Sequence, residues 1–250
     1  MKKTLLIAFI FVSTFTLQAK EHSSNHAAHW GYEGDVSPEH WAELSDKFKL
    51  CGIGKNQSPI DIKSNFDVNL PAIKFKYSAI ANKIINNGHT IQVDVKSGSS
   101  ITVNNKTYEL KQFHFHTPSE NKINGKSFPL EAHFVHRLKD EQSFAVVAVM
   151  FEEGASNPIL EQIFGNMPTK IGETVKLENS IDYTQLLPKD KDYYRFNGSF
   201  TTPPCTEGVY WYVLKTPLTA SKQQISTFLK TMHHPNNRTI QKIGARVIVD

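Results

Sequence analysis

The stretch Gln112-Phe113-His114-Phe115-His116-Thr117 alternates imidazole and phenyl rings. In an extended strand successive side chains take opposite faces, so His114 and His116 share one face and Phe113 and Phe115 the other. The phenylalanines ask for a dry core. Two neutral imidazoles side by side ask for a partner, and a shared metal ion satisfies both. His-x-His alone also describes exposed or hydrogen-bonded histidines on a sheet surface, so the pair needs company. A second strand-like run, Leu130-Glu131-Ala132-His133-Phe134-Val135-His136, supplies it, and the turn signal Asn124-Gly125 between the two runs folds one back toward the other. Glu131, His133 and Val135 fall on one face, Ala132, Phe134 and His136 on the other. Parity leaves the third ligand open between His133 and His136. The carboxylate of Glu131, two residues away on the same face, favours His133, because such a carboxylate fixes the tautomer of a ligating imidazole. Three histidines on rigid strands leave a fourth tetrahedral position for water, which describes a catalytic rather than a structural zinc site.

Outward from these runs, apolar alternation with period two begins near Ile73. It predicts strands at Lys74–Tyr77, Ile84–Asn86, Thr90–Val95, Ser100–Val103, Thr107–His116, Leu130–His136, Ser143–Phe151 and Val209–Leu214. Turn signals at Asn87-Gly88, Ser97-Gly98, Asn104-Asn105 and Lys139-Asp140 separate several of them. Two helices are expected. One is capped by Asn157 with Pro158 at its first position and runs to about Phe164. The other opens with a capping box over Ser221–Gln224 and carries an apolar stripe of Ile225, Phe228, Leu229 and Met232. Residues 29–69 read as irregular backbone with a helical turn around Pro38 to Leu44. With no internal repeat or linker, the fold class is mainly β with peripheral short helices (α+β): a single domain, 29–250, on a large, central, mostly antiparallel twisted sheet.

Composition narrows the setting. The chain has 250 residues and a formal net charge of +4. Its lysines are scattered, with no basic block, which argues against nucleic acid as a partner. Lys2 and Lys3, the apolar run Leu5 to Phe15 and the small-residue site Leu17-Gln18-Ala19 describe an export signal over 1–19, followed by a flexible segment, 20–28. The apolar run is too short to span a bilayer comfortably, and no second stretch is long enough. The mature protein is therefore expected outside the cytoplasm, in a periplasm. Cys51 and Cys205 are the only cysteines, and two cysteines in an exported chain suggest one disulfide.

One further segment, Gly198-Ser199-Phe200-Thr201-Thr202-Pro203-Pro204-Cys205, reads as a proline-stiffened loop able to present Thr201 rigidly. It occurs with Gln57-Ser58-Pro59-Ile60-Asp61-Ile62, Asn86-Asn87-Gly88-His89, Gln112 to His116 and Glu131-Ala132-His133-Phe134-Val135-His136. In their order and separations these segments, with His29-Trp30-Gly31-Tyr32 and Val209-Tyr210-Trp211, resemble the signature segments of alpha-class carbonic anhydrases. The resemblance runs from about Trp30 to the C-terminus. It implies a zinc enzyme that hydrates carbon dioxide to bicarbonate and a proton by attack of a zinc-bound hydroxide, with a histidine carrying the proton away. His114, His116 and His133 match the zinc ligands, and Gln112 and Glu131 the groups that hold them. Thr201 matches the threonine that orients the hydroxide, Glu120 the carboxylate that orients this threonine, and His89 the proton shuttle. Val135, Val146, Phe200, Val209 and Trp211 match the apolar substrate pocket, with Thr202 beside them. Cys51 and Cys205 match the disulfide of secreted members. Several members are dimers, which leaves a homodimer open. Thr117, Gln92 and Thr239 depart from residues common in the family without removing a catalytic group. A different zinc hydrolase, acting on esters or peptides, is disfavoured because His-Glu-x-x-His is absent and the ligands sit on strands. A non-catalytic binding module on the same scaffold is disfavoured because all three histidines are present.

Overall fold

The computed structural model describes residues 28–250 apart from Ala79 and 140–142. The expected export signal, 1–19, and the segment 20–28 up to residue 27 lie outside the described residues, as does Asp140 of one turn signal. In chain order the elements are α1 (Trp41–Leu44), α2 (Leu50–Ile53), β1 (Asp61–Ile62), β2 (Lys74–Lys76), β3 (Ala81–Asn86), β4 (Ile91–Val95), β5 (Ser100–Val103), β6 (Lys106–His116), β7 (Lys122–Ile123), β8 (Leu130–Leu138), β9 (Phe144–Glu153), α3 (Pro158–Phe164), β10 (Thr174–Lys176), β11 (Tyr193–Ser199), β12 (Glu207–Leu214), β13 (Leu218–Ala220) and α4 (Lys222–Met232). Eleven strands form one sheet with the spine β10-β3-β4-β6-β8-β9-β12-β11, while β1 pairs with β7 apart from it. Within the large sheet only β12 and β13 run parallel to their neighbour β9; the other pairings are antiparallel. The expected mainly β fold on a large, central, mostly antiparallel sheet is therefore the observed one.

A bulge in β6 decides what faces where. Leu110 pairs with His136 and Gln112 with Val135, so Lys111 is an extra residue on one strand. Before it, Tyr108 and Leu110 point into the larger apolar cluster; after it, Phe113 and Phe115 do. The shift of parity puts Gln112, His114 and His116 on the other face. Helices α3 and α4 cover the larger cluster: Phe115 packs against Phe164 and Phe228 at 5.1 and 6.1 Å between ring centroids. Burying each such ring contributes roughly 1.5–3 kcal/mol. The opposite face carries a smaller cluster that includes Val135, Val146, Ala148, Phe196, Val209 and Trp211.

Both helix starts follow their capping residues. Asn157 Oδ1 accepts from the amides of Ile159 and Leu160 at 3.0 and 3.2 Å. Ser221 Oγ accepts from Gln224 N, and Gln224 Oε1 accepts from Ser221 N. Gln224 is also buried and reaches Asn157 O at 2.7 Å, so the cap of one helix ties down the start of the other. The expected stripe needs one correction: Leu229 is 38% exposed and lies off it, while Phe228 and Met232 are buried. The strand reading also omitted β1, β7, β10, β11 and β13, and Gly198 and Ser199 belong to the end of β11 rather than to a loop.

Candidate metal centre

On the face away from the helices, β6 and β8 set His114 opposite His133 and His116 opposite Glu131. Among the described residues His114, His116 and His133 form the cluster of metal-capable groups, with one ligand atom of each within 4.8 Å of the others. His136 points into the larger core instead, with Nε2 2.8 Å from the Tyr77 hydroxyl and Nδ1 3.3 Å from the Ala145 carbonyl oxygen. The alternative that strand parity left open thus falls to His133.

The partners of each ring fix its free nitrogen. His114 Nδ1 lies 2.8 Å from Gln112 Oε1, and His116 Nδ1 2.7 Å from the Asn236 carbonyl oxygen. Both oxygens only accept, so both Nδ1 atoms carry protons and the Nε2 lone pairs are left over. His133 Nε2 lies 2.9 Å from Glu131 Oε1, out of line for a hydrogen bond, and this carboxylate favours the proton on Nε2 and the lone pair on Nδ1. Burial, the leading cause at each ring, holds all three below the ordinary histidine pKa and so neutral. Neutral rings with aligned lone pairs suit a cation. A buried donor set left unsatisfied points the same way: neither His116 Nε2 nor Glu120 Oε2 has a hydrogen-bond partner among the described residues. These two atoms are 3.5 Å apart. Nitrogen-only ligation by three imidazoles fits zinc.

Glu131 is itself held. Its Oε2 accepts from the amides of Glu120 and Asn121 at 2.7 and 2.9 Å, and its Oε1 from Asn121 Nδ2 at 2.8 Å. Glu120 is 1% exposed. Its Oε1 accepts from Arg238 N at 2.9 Å, and the Thr201 side chain lies beside the carboxylate. Burial raises its pKa to about 8 against the lowering effect of these two neighbours.

Two small chambers meet at Gln112, His114 and Thr202. The first, about 220 Å³, has Val135, Val146, Phe200 and Trp211 for walls, with Thr201 and His133 at its floor. The second, about 120 Å³, is lined by Trp30, Tyr32, Asn87, His89, Thr90 and Gln92. Val209, expected in the pocket, is buried behind the wall in the cluster around Trp211 and does not line the first chamber. Cys51 and Cys205 are bonded, with 5.1 Å between their Cα atoms.

Sequence reasoning missed Asn236. Its carbonyl holds His116, its Oδ1 accepts from Thr117 N, and its Nδ2 donates to the carbonyls of His89 and Phe115. It sits in a Pro-Asn-Asn loop 120 residues from His116, where nothing local marks it. The buried hydroxyl of Tyr32, without a hydrogen-bond partner among the described residues, and the stack of Trp30 on His89 were equally silent as chemistry.

Comparison with known proteins accords with this geometry. Residues 36–250 match the family model for eukaryotic-type carbonic anhydrase. A carbonic anhydrase of Pectobacterium carotovorum is 45% identical over 249 residues, covering 100% of both chains. One from Neisseria gonorrhoeae is 48% identical over 246 residues, covering 98% of this chain and 96% of that protein. The structure of the alpha-carbonic anhydrase of Thermovibrio ammonificans with the inhibitor sulfanilamide superposes with a TM-score of 0.87 at 45% identity, covering 90% of this chain and 100% of that one.

Proposed function

The chain belongs to the family of eukaryotic-type, or alpha, carbonic anhydrases and is a carbonic anhydrase, and from that premise we propose how its residues divide the hydration of carbon dioxide among them. The observation that carries the reading is the convergence of three neutral imidazoles, an apolar chamber and a threonine–carboxylate pair within one site.

His114 Nε2, His116 Nε2 and His133 Nδ1 would hold the zinc ion. When bound, the ion supplies a Lewis acid that acidifies a water near neutral pH. Neutral ligands leave the full dipositive charge available for this. With Glu120 ionised, Thr201 would direct its hydroxyl proton to it and so accept a hydrogen bond from the reacting oxygen, aiming a lone pair of that oxygen into the apolar chamber. Val135, Val146, Phe200 and Trp211 exclude water from the place where a small apolar substrate rests, and Thr202 borders it. Arg238 N holds Oε1 of Glu120, which leaves Oε2 facing His116 and His133. His89, across the second chamber, takes the released proton to solvent.

A carbon dioxide hydration assay on purified protein tests the assignment. Activity and one zinc per chain are expected, both lost after chelation and both lost in His116→Ala. Thr201→Ala should keep its zinc and lose most of kcat/KM, because Thr201 orients without ligating. Normal kcat/KM in zinc-loaded Thr201→Ala would remove Thr201 from this role. We further place the protein in an oxidising compartment, the periplasm. The Cys51–Cys205 bond and the charged and apolar start of the chain support this, and cell fractionation tests it.

A further inference from the structure

The Gln57-Ser58-Pro59 segment, prominent in the sequence, touches no reacting atom, yet it meets both ends of the loop that carries Thr201. At the near end Ser58 N donates to Ser199 Oγ at 2.9 Å, and Ser199 N donates to Ser58 Oγ at 3.2 Å. The approach is close enough to require Gly198, where a Cβ would lie 2.2 Å from Ser58 Oγ. At the far end Gln57 Nε2 donates to Cys205 O at 3.0 Å. One buried cation joins this segment to Glu120. Arg238, 1% exposed, donates from Nη1 to Gln57 Oε1 and Ser58 O, both at 2.8 Å, and from Nη2 to Cys51 O at 2.7 Å. Its own backbone amide holds Glu120 Oε1 at 2.9 Å. The contacts run from Glu120 to Arg238, from Arg238 to Gln57 and Ser58, and from these two to the loop carrying Thr201, whose side chain lies beside Glu120.

We infer that Arg238, with Gln57 and Ser58, is a positioning unit that sets the Thr201 hydroxyl against Glu120. The guanidinium is buried against neutral oxygens and the Trp41 ring, 5.6 Å from its centroid, with no carboxylate in ion-pair range among the described residues, so it gains less than a paired charge would. Its planar fork does fix the direction of several acceptors at once, which an ammonium group cannot reproduce. The clamp matters because an orienting hydroxyl must be in place before the reaction, and a small displacement of such a group costs much of its effect.

The inference rests on the role proposed for Thr201, so Thr201→Ala accompanies the test. In zinc-loaded enzyme with strong buffer, slower attack on carbon dioxide lowers kcat/KM while kcat stays near the rate of proton export, so KM rises. A merely damaged preparation, part active and part dead, lowers kcat at unchanged KM. Arg238→Lys keeps the charge without the fork, and Ser58→Ala removes one hydroxyl should the lysine variant fold poorly. Both are expected to keep one zinc and the disulfide, to raise KM at least threefold, and to speed amide hydrogen exchange at least tenfold in peptides covering residues 199–206. Unchanged KM and exchange in a folded variant would overturn the positioning role, as would a fall in kcat at constant KM. If Thr201→Ala itself hydrates carbon dioxide normally, the failure lies with the threonine's role and not with the clamp.

Discussion

His89 lies flat against Trp30, with 3.6 Å between ring centroids and 6° between planes. Burial, followed by the neighbouring His29 and His234, lowers its pKa to about 4. Such a ring releases a proton readily but is protonated only a small fraction of the time at neutral pH, so proton export through it should limit turnover in weak buffer. His89→Ala should keep zinc and kcat/KM, lose kcat roughly tenfold or more in weak buffer, and regain it as imidazole buffer is added. Wild-type behaviour at every buffer concentration would leave His89 a turn residue after Asn87-Gly88. His136 poses the opposite case, a histidine with no part in the reaction. It is wholly buried against Tyr77, and burial lowers its pKa to about 3. Between pH 6.5 and about 3 the unfolded chain takes up a proton there and the folded chain does not, so stability falls as pH falls through that window. The slope is roughly 1.4 kcal/mol per pH unit for one such group. Urea melts of zinc-loaded His136→Gln, whose amide can still accept from Tyr77, should lose less stability than wild type between pH 6.5 and 4.5. Parallel losses would show that His136 does not govern the acid limb. His133 and His136 also mark how far single residues were legible. Both lie in one strand of the right composition, and apart from the family resemblance only the carboxylate beside His133 separated ligand from core residue in advance.

Among the elements, β6 does the most to build the site. Tyr108 and Leu110 occupy even positions of the core face, Phe113 and Phe115 odd ones, and the bulge at Lys111 reconciles them. Deleting Lys111 should therefore throw either Tyr108 and Leu110 or the histidine pair to the wrong face. Loss of stoichiometric zinc is expected from the deletion. Lys111→Ala should bind zinc normally, because the exposed side chain pairs with Glu109 and the substitution keeps the extra residue. A deletion variant with a full zinc complement would refute this account of the bulge. The parity break stands in the sequence, but the run Thr107–His116 reads as one regular strand until its partner is seen. Helices α3 and α4 were legible because their caps are local, Asn157-Pro158 in one and Ser221 with Gln224 in the other. Strands β10 and β13 have three residues each, too few to show a period, and β11 follows no simple alternation of burial. The departure of Leu229 from its stripe has the same origin: spacing gives an apolar arc, but packing against α3 decides how wide the buried part is.

Across the whole molecule, chain segments far apart in sequence close over the metal centre. Asn236 and Arg238 come back to β6, Glu120 and the Gln57–Ser58 segment, while Cys51 is bonded to Cys205 across 154 residues. None of these long-range contacts has a periodic signature, which is why the three ligands were readable from two strands and most of their supports were not. The disulfide is the exception, since two cysteines allow a single pairing. Its loop spans β6 and β8, yet their register rests on backbone pairing that the bond does not touch. The consequence is a separation between stability and metal binding. Closing so long a loop restricts the unfolded chain and contributes up to about 5 kcal/mol, with about 2–4 kcal/mol typical of such bonds. Replacing both cysteines by serine should lower the urea midpoint accordingly and leave one zinc per chain at low denaturant. The loop around Thr201 keeps the Ser58–Ser199 bonds at its near end, so kcat/KM should fall far less than in Thr201→Ala. Equal urea midpoints for the double variant and the oxidised protein would deny the bond its part in stability. Loss of zinc from the folded variant would show that the metal centre depends on it directly, contrary to the separation expected from the strands.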